Sequence, residues 1–260
     1  MRINEHIAIS TQNVLLVPYC RHHVPTYHEW MKDEALRAAT ASEPLTLDEE
    51  YAMQSSWRND RDKLTFIICA PLEPPTDSTI NSPPSLPQPI RPTIHDSPYH
   101  MLGDVNLFLT PDTESQMEPM LPSAPDAPFY IIGELEIMIA VPSARRRGHA
   151  KAALRSFILY IKRNLDAILA EYAGPGETVL SYLRVKIDGE NRGSIALFEG
   201  LGFRRLGGVN YFGEVELRRN VEWVGDEGVE GAGGEVRYGE GVNGGVVDGV
   251  GQGAHPILGT

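Results

Sequence analysis

The spacing of apolar and polar positions changes period several times along this chain, and each change marks an element. Val14-Leu15-Leu16-Val17 is a short apolar run closed by Pro18, and it reads as a strand. Val24 to Ala38 carries helical spacing with Pro25 in the first turn, where a missing N–H costs nothing. A second helix is predicted from about Thr46, with Asp48, Glu49 and Glu50 at its positive end. Leu64 to Ala70 is apolar throughout, as a central strand would be, and Gly103 to Leu109 returns to a strand pattern. In Glu134 to Ala140, Leu135, Ile137 and Ile139 share one face, while Glu134, Glu136 and Met138 share the other. Val141-Pro142-Ser143 ends that strand, and a helix follows with Ala153, Leu154, Phe157, Ile158 and Ile161 on its apolar stripe. Tyr182 to Ile187 alternates like a half-buried strand, Asn191 to Phe203 reads as a helix with a glycine end, and Tyr211 to Leu217 as a last strand.

Composition interrupts this pattern in three places. Residues 71–98 hold nine prolines among Ser, Thr and Asp, and 111–128 form a second Pro-rich stretch with Glu114, Glu118 and Asp126. Both read as surface insertions, where added length is thermodynamically cheap. Thirteen of the 25 glycines lie in 225–260, so 222–260 is expected to be an acidic, disordered Gly-rich tail on a single domain spanning 1–221. The net charge of −12 speaks against nucleic acid as a partner and suits cationic ones. Cys20 and Cys69, without a signal-peptide pattern, read as reduced thiols of a cytoplasmic protein, and no apolar run is long enough for a membrane span. His22, His23 and His28 lack the pairing that sets two ligands on one helical face, so no metal is expected.

The strand, turn and helix across Glu134–Leu159 carry the chemistry. Arg145-Arg146-Arg147-Gly148-His149-Ala150 opens the helix, whose first N–H groups have no intrahelical partner and whose dipole adds positive charge. Small residues at Gly148 and Ala150 let an anion approach the backbone, so the turn reads as a phosphate site. It lacks the spacing of a nucleotide-hydrolysing P-loop and of a dinucleotide fold. Arg145-x-x-Gly148-x-Ala150 resembles the R/Q-x-x-G-x-G/A signature of the GNAT acetyltransferases. Asn191, Ser194, Phe198, Gly202 and Phe203 match a second GNAT pattern about 45 residues on. The opening around Ala41-Ser42-Glu43-Pro44-Leu45-Thr46-Leu47 and Glu50-Tyr51, with Gly103 to Leu109, is similar to the N-acetyltransferase 9-like branch.

The resemblance implies an α/β (α+β) GNAT fold: a mixed, mostly antiparallel sheet of about six to seven strands and four helices, splayed at its central strands. It implies acetyl-CoA as co-substrate, with the pyrophosphate held by Arg145, Arg146, Arg147, Gly148, His149 and Ala150. Backbone groups of Met138, Ile139 and Ala140 would hold the pantetheine and carbonyl, Asn191 would line the tunnel, and Ser194 would contact CoA. Acetyl transfer needs a neutral amine, so Glu134 or Glu136 would take its proton; alternatively both pair with arginines on the neighbouring strand. The acceptor implied is a primary amine, foremost a protein or peptide N-terminus, attacking directly in a ternary complex. A silent CoA-binding or protein-docking module and a small-amine acetyltransferase remain as alternatives. Phe198 stands where many GNAT enzymes keep a tyrosine acid, which leaves unaided thiolate departure, a donor such as Tyr211, or slow turnover.

Overall fold

In the computed structural model, strand β5 (Phe129–Ile139) is the axis about which the other elements are arranged. The structure describes residues 1–72, 89–113, 128–174, 176–220 and 234–239. Among them, β1 (Ile7–Ser10), β2 (Leu15–Pro18), β3 (Lys63–Cys69), β4 (Met101–Pro111), β5, β6 (Thr178–Asp188), β7 (Arg204–Leu206), β8 (Glu214–Arg219) and β9 (Gly234–Arg237) form one sheet. Its order is β7-β8-β6-β5-β4-β3-β2-β1-β9. Every pairing between these strands is antiparallel except β5 with β6. No helix among the described residues is long and apolar enough to cross a membrane.

Helices α1 (Val24–Trp30), α2 (Glu34–Ala39), α3 (Leu47–Asn59), α4 (His149–Arg163), α5 (Leu165–Ala173) and α6 (Arg192–Glu199) complete the described elements. The apolar stripe read on α4 is buried in full, and Phe66 of β3 meets Phe157 and Tyr160 edge-on at 5.8 and 5.3 Å. This core also takes in Leu107, Leu135 and Leu183 from the strands. A second core holds Val24 and Tyr27 of α1, and Met31 just after it, against Ile67, Met138 and Ala140. Adjacent residues of β5 thus serve opposite faces, as its period-2 pattern requires. Thr46 caps α3 through the Glu49 amide while Glu49 reaches back to the Thr46 amide, the reciprocal pair that the acidic first turn suggested.

Several expectations need correction. Among the described residues, six helices and nine strands replace the four and the six to seven expected, although the mixed, mostly antiparallel class holds. The helix read over Val24–Ala38 is two helices, because Asp33 adopts an extended conformation and its side chain accepts from Ala35 and Leu36 N–H, starting α2 afresh. The last strand begins at Glu214, since Asn210 to Gly213 close a turn through the Gly213 N–H to Asn210 O bond of 3.0 Å. Part of the tail read as disordered is ordered: β9 pairs along β1, from Ile7 with Arg237 to Ser10 with Gly234. The end of the first insertion folds as well, with Ile90 N–H donating to Arg237 O at 2.8 Å and both Ile90 and Asp96 buried. The rest of that insertion, most of the second, and the remainder of the tail lie outside the described residues.

One glycine sets how closely β4 can approach the end of β5. A Cβ on Gly103 would stand 1.8 Å from the Met138 carbonyl oxygen, a rigid backbone atom. Gly103→Ala should therefore destabilise the protein by about 2–4 kcal/mol, as overpacking against backbone does. Gly208→Ala, where a Cβ meets nothing within 4 Å, should stay within about 0.5 kcal/mol. Denaturant midpoints of the two variants check this, and equal midpoints would contradict it.

Candidate active site

The functional geometry starts where β5 and β6 part. Their parallel ladder runs from Phe129 and Thr178 to Glu134 and Arg184 and then stops. Beyond it β5 stays bonded to β4 as far as Ile139, and β6 stays bonded to β8 as far as Asp188. The facing edges of the two strands are left without each other over their C-terminal halves. Ala140 N–H donates to Leu102 O at 2.8 Å. Alternation along an antiparallel pair therefore turns the Met138 and Glu136 amides towards β4 and those of Ile137 and Ile139 into the split. Of the three residues expected to offer amides, Ile139 faces the opening, while Met138 and Ala140 have theirs turned to β4. Ile137, not foreseen, joins Ile139.

At the mouth of the split lies the arginine turn. A short 3-10 turn, Pro142–Ala144, follows β5, and Arg146 (φ 60°) and Gly148 (φ 87°) both take left-handed conformations before α4 begins. Gly148 is the residue before the helix and no side chain caps it there. The first α4 bond is Ala152 N–H to Gly148 O, so His149, Ala150 and Lys151 present N–H groups outside the helical ladder. A Cβ at Gly148 would meet nothing within 4 Å, and Arg146 and Arg147 are exposed beside it. This is an open cradle for an anion, and a diphosphate fits its chemistry. Arg145 plays a different part: its Nε donates to Ile139 O at 2.9 Å and its Nη2 to Ala140 O at 3.1 Å, clamping the turn to the end of β5. His149 Nδ1 lies 3.0 Å from Asn13 O, which ties the turn to the β1–β2 connection.

Carboxylates line the other face. The register sets Thr65, Asn106 and Glu136 in one row across β3, β4 and β5, with Ile67, Asp104 and Met138 in the next. Glu134 is held by Arg184 Nε at 2.7 Å and lies 3.9 Å from Lys186 Nζ. Glu136 forms no ion pair among the described residues and remains open to solvent. Although the residue reaches solvent, partial desolvation of its carboxyl, then the charges of Asp104 and Glu134, push that carboxyl up to about 7. Asp104 is buried, and burial lifts it to about 6 although Asn106 Nδ2 and Tyr27 Oη donate to it at 3.0 and 3.1 Å. Asp104, Asn106, Tyr27 and Glu50 were not singled out in the sequence as site residues. The readable signal was Asp104 and Asn106, two polar residues at period 2 inside an apolar strand.

Elsewhere, Asn191 starts α6 and its side chain accepts from Ser194 N–H at 3.1 Å, so the two expected CoA contacts are bonded to each other. Ser194 is half-buried. Phe198 is core, edge-on to Phe203 at 5.2 Å. Tyr211 is 96% exposed in the β7–β8 turn, so it is not held against the split as a donor would be. Cys20, His22 and His23 bring their ligating atoms within 4.8 Å of one another. Both imidazoles contact Asp96 Oδ2 at 3.0 Å, and Tyr238 Oη donates to the same oxygen at 2.6 Å. Burial would raise the Asp96 carboxyl, but these hydrogen bonds outweigh it and hold Asp96 far below the usual carboxylate range. In this arrangement the cluster fastens the Ile90–His100 segment and β9 to the start of α1.

Residues 13–204 match the family model described as an acetyltransferase (GNAT) domain. An N-acetyltransferase 9-like protein of Schizosaccharomyces pombe is 38% identical over 226 residues, covering 84% of this chain and 97% of that protein. The alpha/beta-tubulin-N-acetyltransferase 9 of Drosophila melanogaster is also 38% identical, covering 86% of this chain and 92% of its own length. Its namesake in Homo sapiens is 36% identical, covering 85% and 86%. Among solved structures, a spermidine N-acetyltransferase chimera from Vibrio cholerae aligns with a TM-score of 0.51 at 15% identity over 81% of this chain and 96% of its own, a likeness of fold alone. The chain belongs to the GNAT acetyltransferases, in their N-acetyltransferase 9-like branch, and is an acetyl-CoA-dependent N-acetyltransferase.

Proposed function

We propose that the protein acetylates the N-terminal amine of a protein acceptor, with Glu136 as the base. The split of β5 from β6 beside Glu136, a carboxylate without an ion pair among the described residues, with the anion cradle at its mouth, carries this reading. Arg146, Arg147 and the open amides of α4 would hold the diphosphate, and the Ile137 and Ile139 amides would hold the pantetheine and the thioester carbonyl. Of the acceptor ammonium's protons, one goes to Glu136, one ends on sulfur and one stays on the new amide. The C–N bond forms as the C–S bond breaks, and the thiolate leaves without a side-chain acid, since Phe198 has no proton to give. Glu134, engaged by Arg184, braces the fork.

A polypeptide acceptor is supported by the tubulin-acetyltransferase names of the relatives. The exposed apolar turn at Val209, Tyr211 and Phe212 also favours it. That turn is joined to the end of β6 by the Gly189 N–H to Gly213 O bond of 2.9 Å. The buried carboxylates Asp104 and Glu50 favour a small polyamine as the second reading. Purified protein with radiolabelled acetyl-CoA, a panel of free-amine peptides and spermidine separates the two. Label in peptide N-termini is expected. Label in spermidine alone would establish the second reading, and binding of acetyl-CoA without transfer to any amine would mark a silent module.

Gly148→Glu sets a carboxylate beside the open amides and should weaken acetyl-CoA binding by at least about tenfold. Gly148→Ala carries the same left-handed strain of about 1–2 kcal/mol and should keep the affinity. Unchanged affinity in Gly148→Glu, measured by titration calorimetry, would move the diphosphate elsewhere.

For Glu136 the active form is the carboxylate, so kcat/KM should rise with pH through about 7. Glu136→Gln should remove that limb and lower kcat by roughly 10²–10⁴-fold, while Glu134→Gln keeps the limb. The folded carboxyl titrates above its unfolded value, so the stability it contributes is full below about pH 4 and is lost as pH rises through about 7. Glu136→Gln should therefore melt higher than the parent at pH 8, with the gain vanishing near pH 4. A pH–rate profile unchanged by Glu136→Gln would remove it as the base.

A further inference from the structure

On the α1–α3 side of β3 and β4, beside Glu136, the protein buries a group of polar side-chain atoms without hydrogen-bond partners among the described residues, two of them acceptors only. Glu50 of α3, Tyr19 and Asn106 are each at least nine-tenths buried. Glu50 Oε2, Tyr19 Oη and Asn106 Oδ1 have no hydrogen-bond partner among the described residues. Asp104 spends one carboxyl oxygen on Tyr27 and Asn106. The Tyr19 and Tyr27 rings are 5.4 Å apart, and Glu50 and Asp104 each act electrostatically on both hydroxyls. His28 Nδ1, also without a hydrogen bond, lies 3.9 Å from Glu50 Oε1.

A buried polar atom without a partner is uncommon because its desolvation goes uncompensated. Glu50 Oε2 and Asn106 Oδ1 can only accept, and they wait for N–H groups, while the Tyr19 hydroxyl and that of Thr65, across the ladder from Asn106, can also donate. A primary ammonium brings three donors and a positive charge in a small volume, which answers this deficit. Asn106 stands directly across the ladder from Glu136, so a nitrogen leaving the cluster passes the base. Glu136 is exposed and His28 is half-buried, which marks where the cluster meets solvent.

We propose that Tyr19, Glu50, Asp104 and Asn106 form the recognition site for the acceptor's primary ammonium before Glu136 takes its proton. This rests on the transferase reading above and names the group that the site recognises, for a peptide N-terminus or a small amine alike.

The test uses the full chain saturated with CoA and two salts as probes. Methylammonium chloride offers three N–H donors, while tetramethylammonium chloride carries the same charge without any. Methylammonium is expected to shift the side-chain carboxyl carbon signals of Glu50 and Asp104 saturably, and tetramethylammonium is not. Glu50→Gln and Tyr19→Phe should reduce that response. In turnover, Glu50→Gln should raise the acceptor KM about tenfold, the loss of one charge-assisted hydrogen bond. Its kcat should stay within about threefold, and its Kd for CoA should not move. Equal responses to both salts, no response to either, or an unchanged acceptor KM in Glu50→Gln would overturn the assignment and leave a water-filled structural cluster. Methylammonium binding without transfer to any amine would keep this site and reject the transferase chemistry. Competition by a free-amine peptide or by spermidine tells which acceptor supplies the ammonium.

Discussion

The split between β5 and β6 is affordable because neither strand depends on the other at its C-terminal end. β4 bonds one edge of β5 to Ile139, and β8 bonds one edge of β6 to Asp188. Only the inner row of amides and carbonyls loses its strand partner when the ladder stops at Glu134 and Arg184, and in that row Arg145 takes up the Ile139 carbonyl. Such groups are costly unless something binds them, and a pantetheine chain can bind them as a strand would. The Glu134–Arg184 ion pair sits at the last rung, so the fork is closed by a charged hydrogen bond where the backbone ladder ends.

Two regions of opposite charge meet at this fork, and the protein keeps them apart by using different elements. The anion cradle is built from backbone amides and exposed arginines at the end of the strand, a local positive region on a chain of net charge −12. The carboxylates Asp104, Glu136 and Glu50 instead stand on the face covered by α1 and α3. Alternation along β5 makes this separation possible, since Glu136 and Met138 turn one way while Ile137 and Ile139 turn to the α4 core.

The covering layer on the α1–α3 side depends on contacts between segments far apart in the chain. Asp96 receives His22, His23 and Tyr238, which joins the turn before α1, the end of the first insertion and β9. His23 is neutral in this arrangement: Cys20 N–H donates to its Nδ1 at 3.0 Å while Nε2 faces Asp96, and burial lowers its pKa further. Tyr19 and Tyr27 lie within a few residues of this hub, so it positions the wall of the proposed ammonium site.

What the sequence determined by itself was local. The period-2 run of β5, the glycine before α4, the stripe of α4 and the Asn191 cap each follow from a few adjacent residues, and all appear in the structure. Arg145 and Ser194 were identified as site residues, but their hydrogen bonds to Ile139, Ala140 and Asn191 follow only from the folded turns. Which amides face the split was decided by β4, because a strand's own pattern does not say which edge its neighbour takes. The division between Glu134 and Glu136 was likewise tertiary, since Arg184 reaches only one of two identical side chains. The fold of Ile90–His100 and of β9 was hidden for the same reason. Four residues of strand rich in glycine carry little signal, and only β1 and the donors around Asp96, brought in from more than seventy residues away, make their burial favourable.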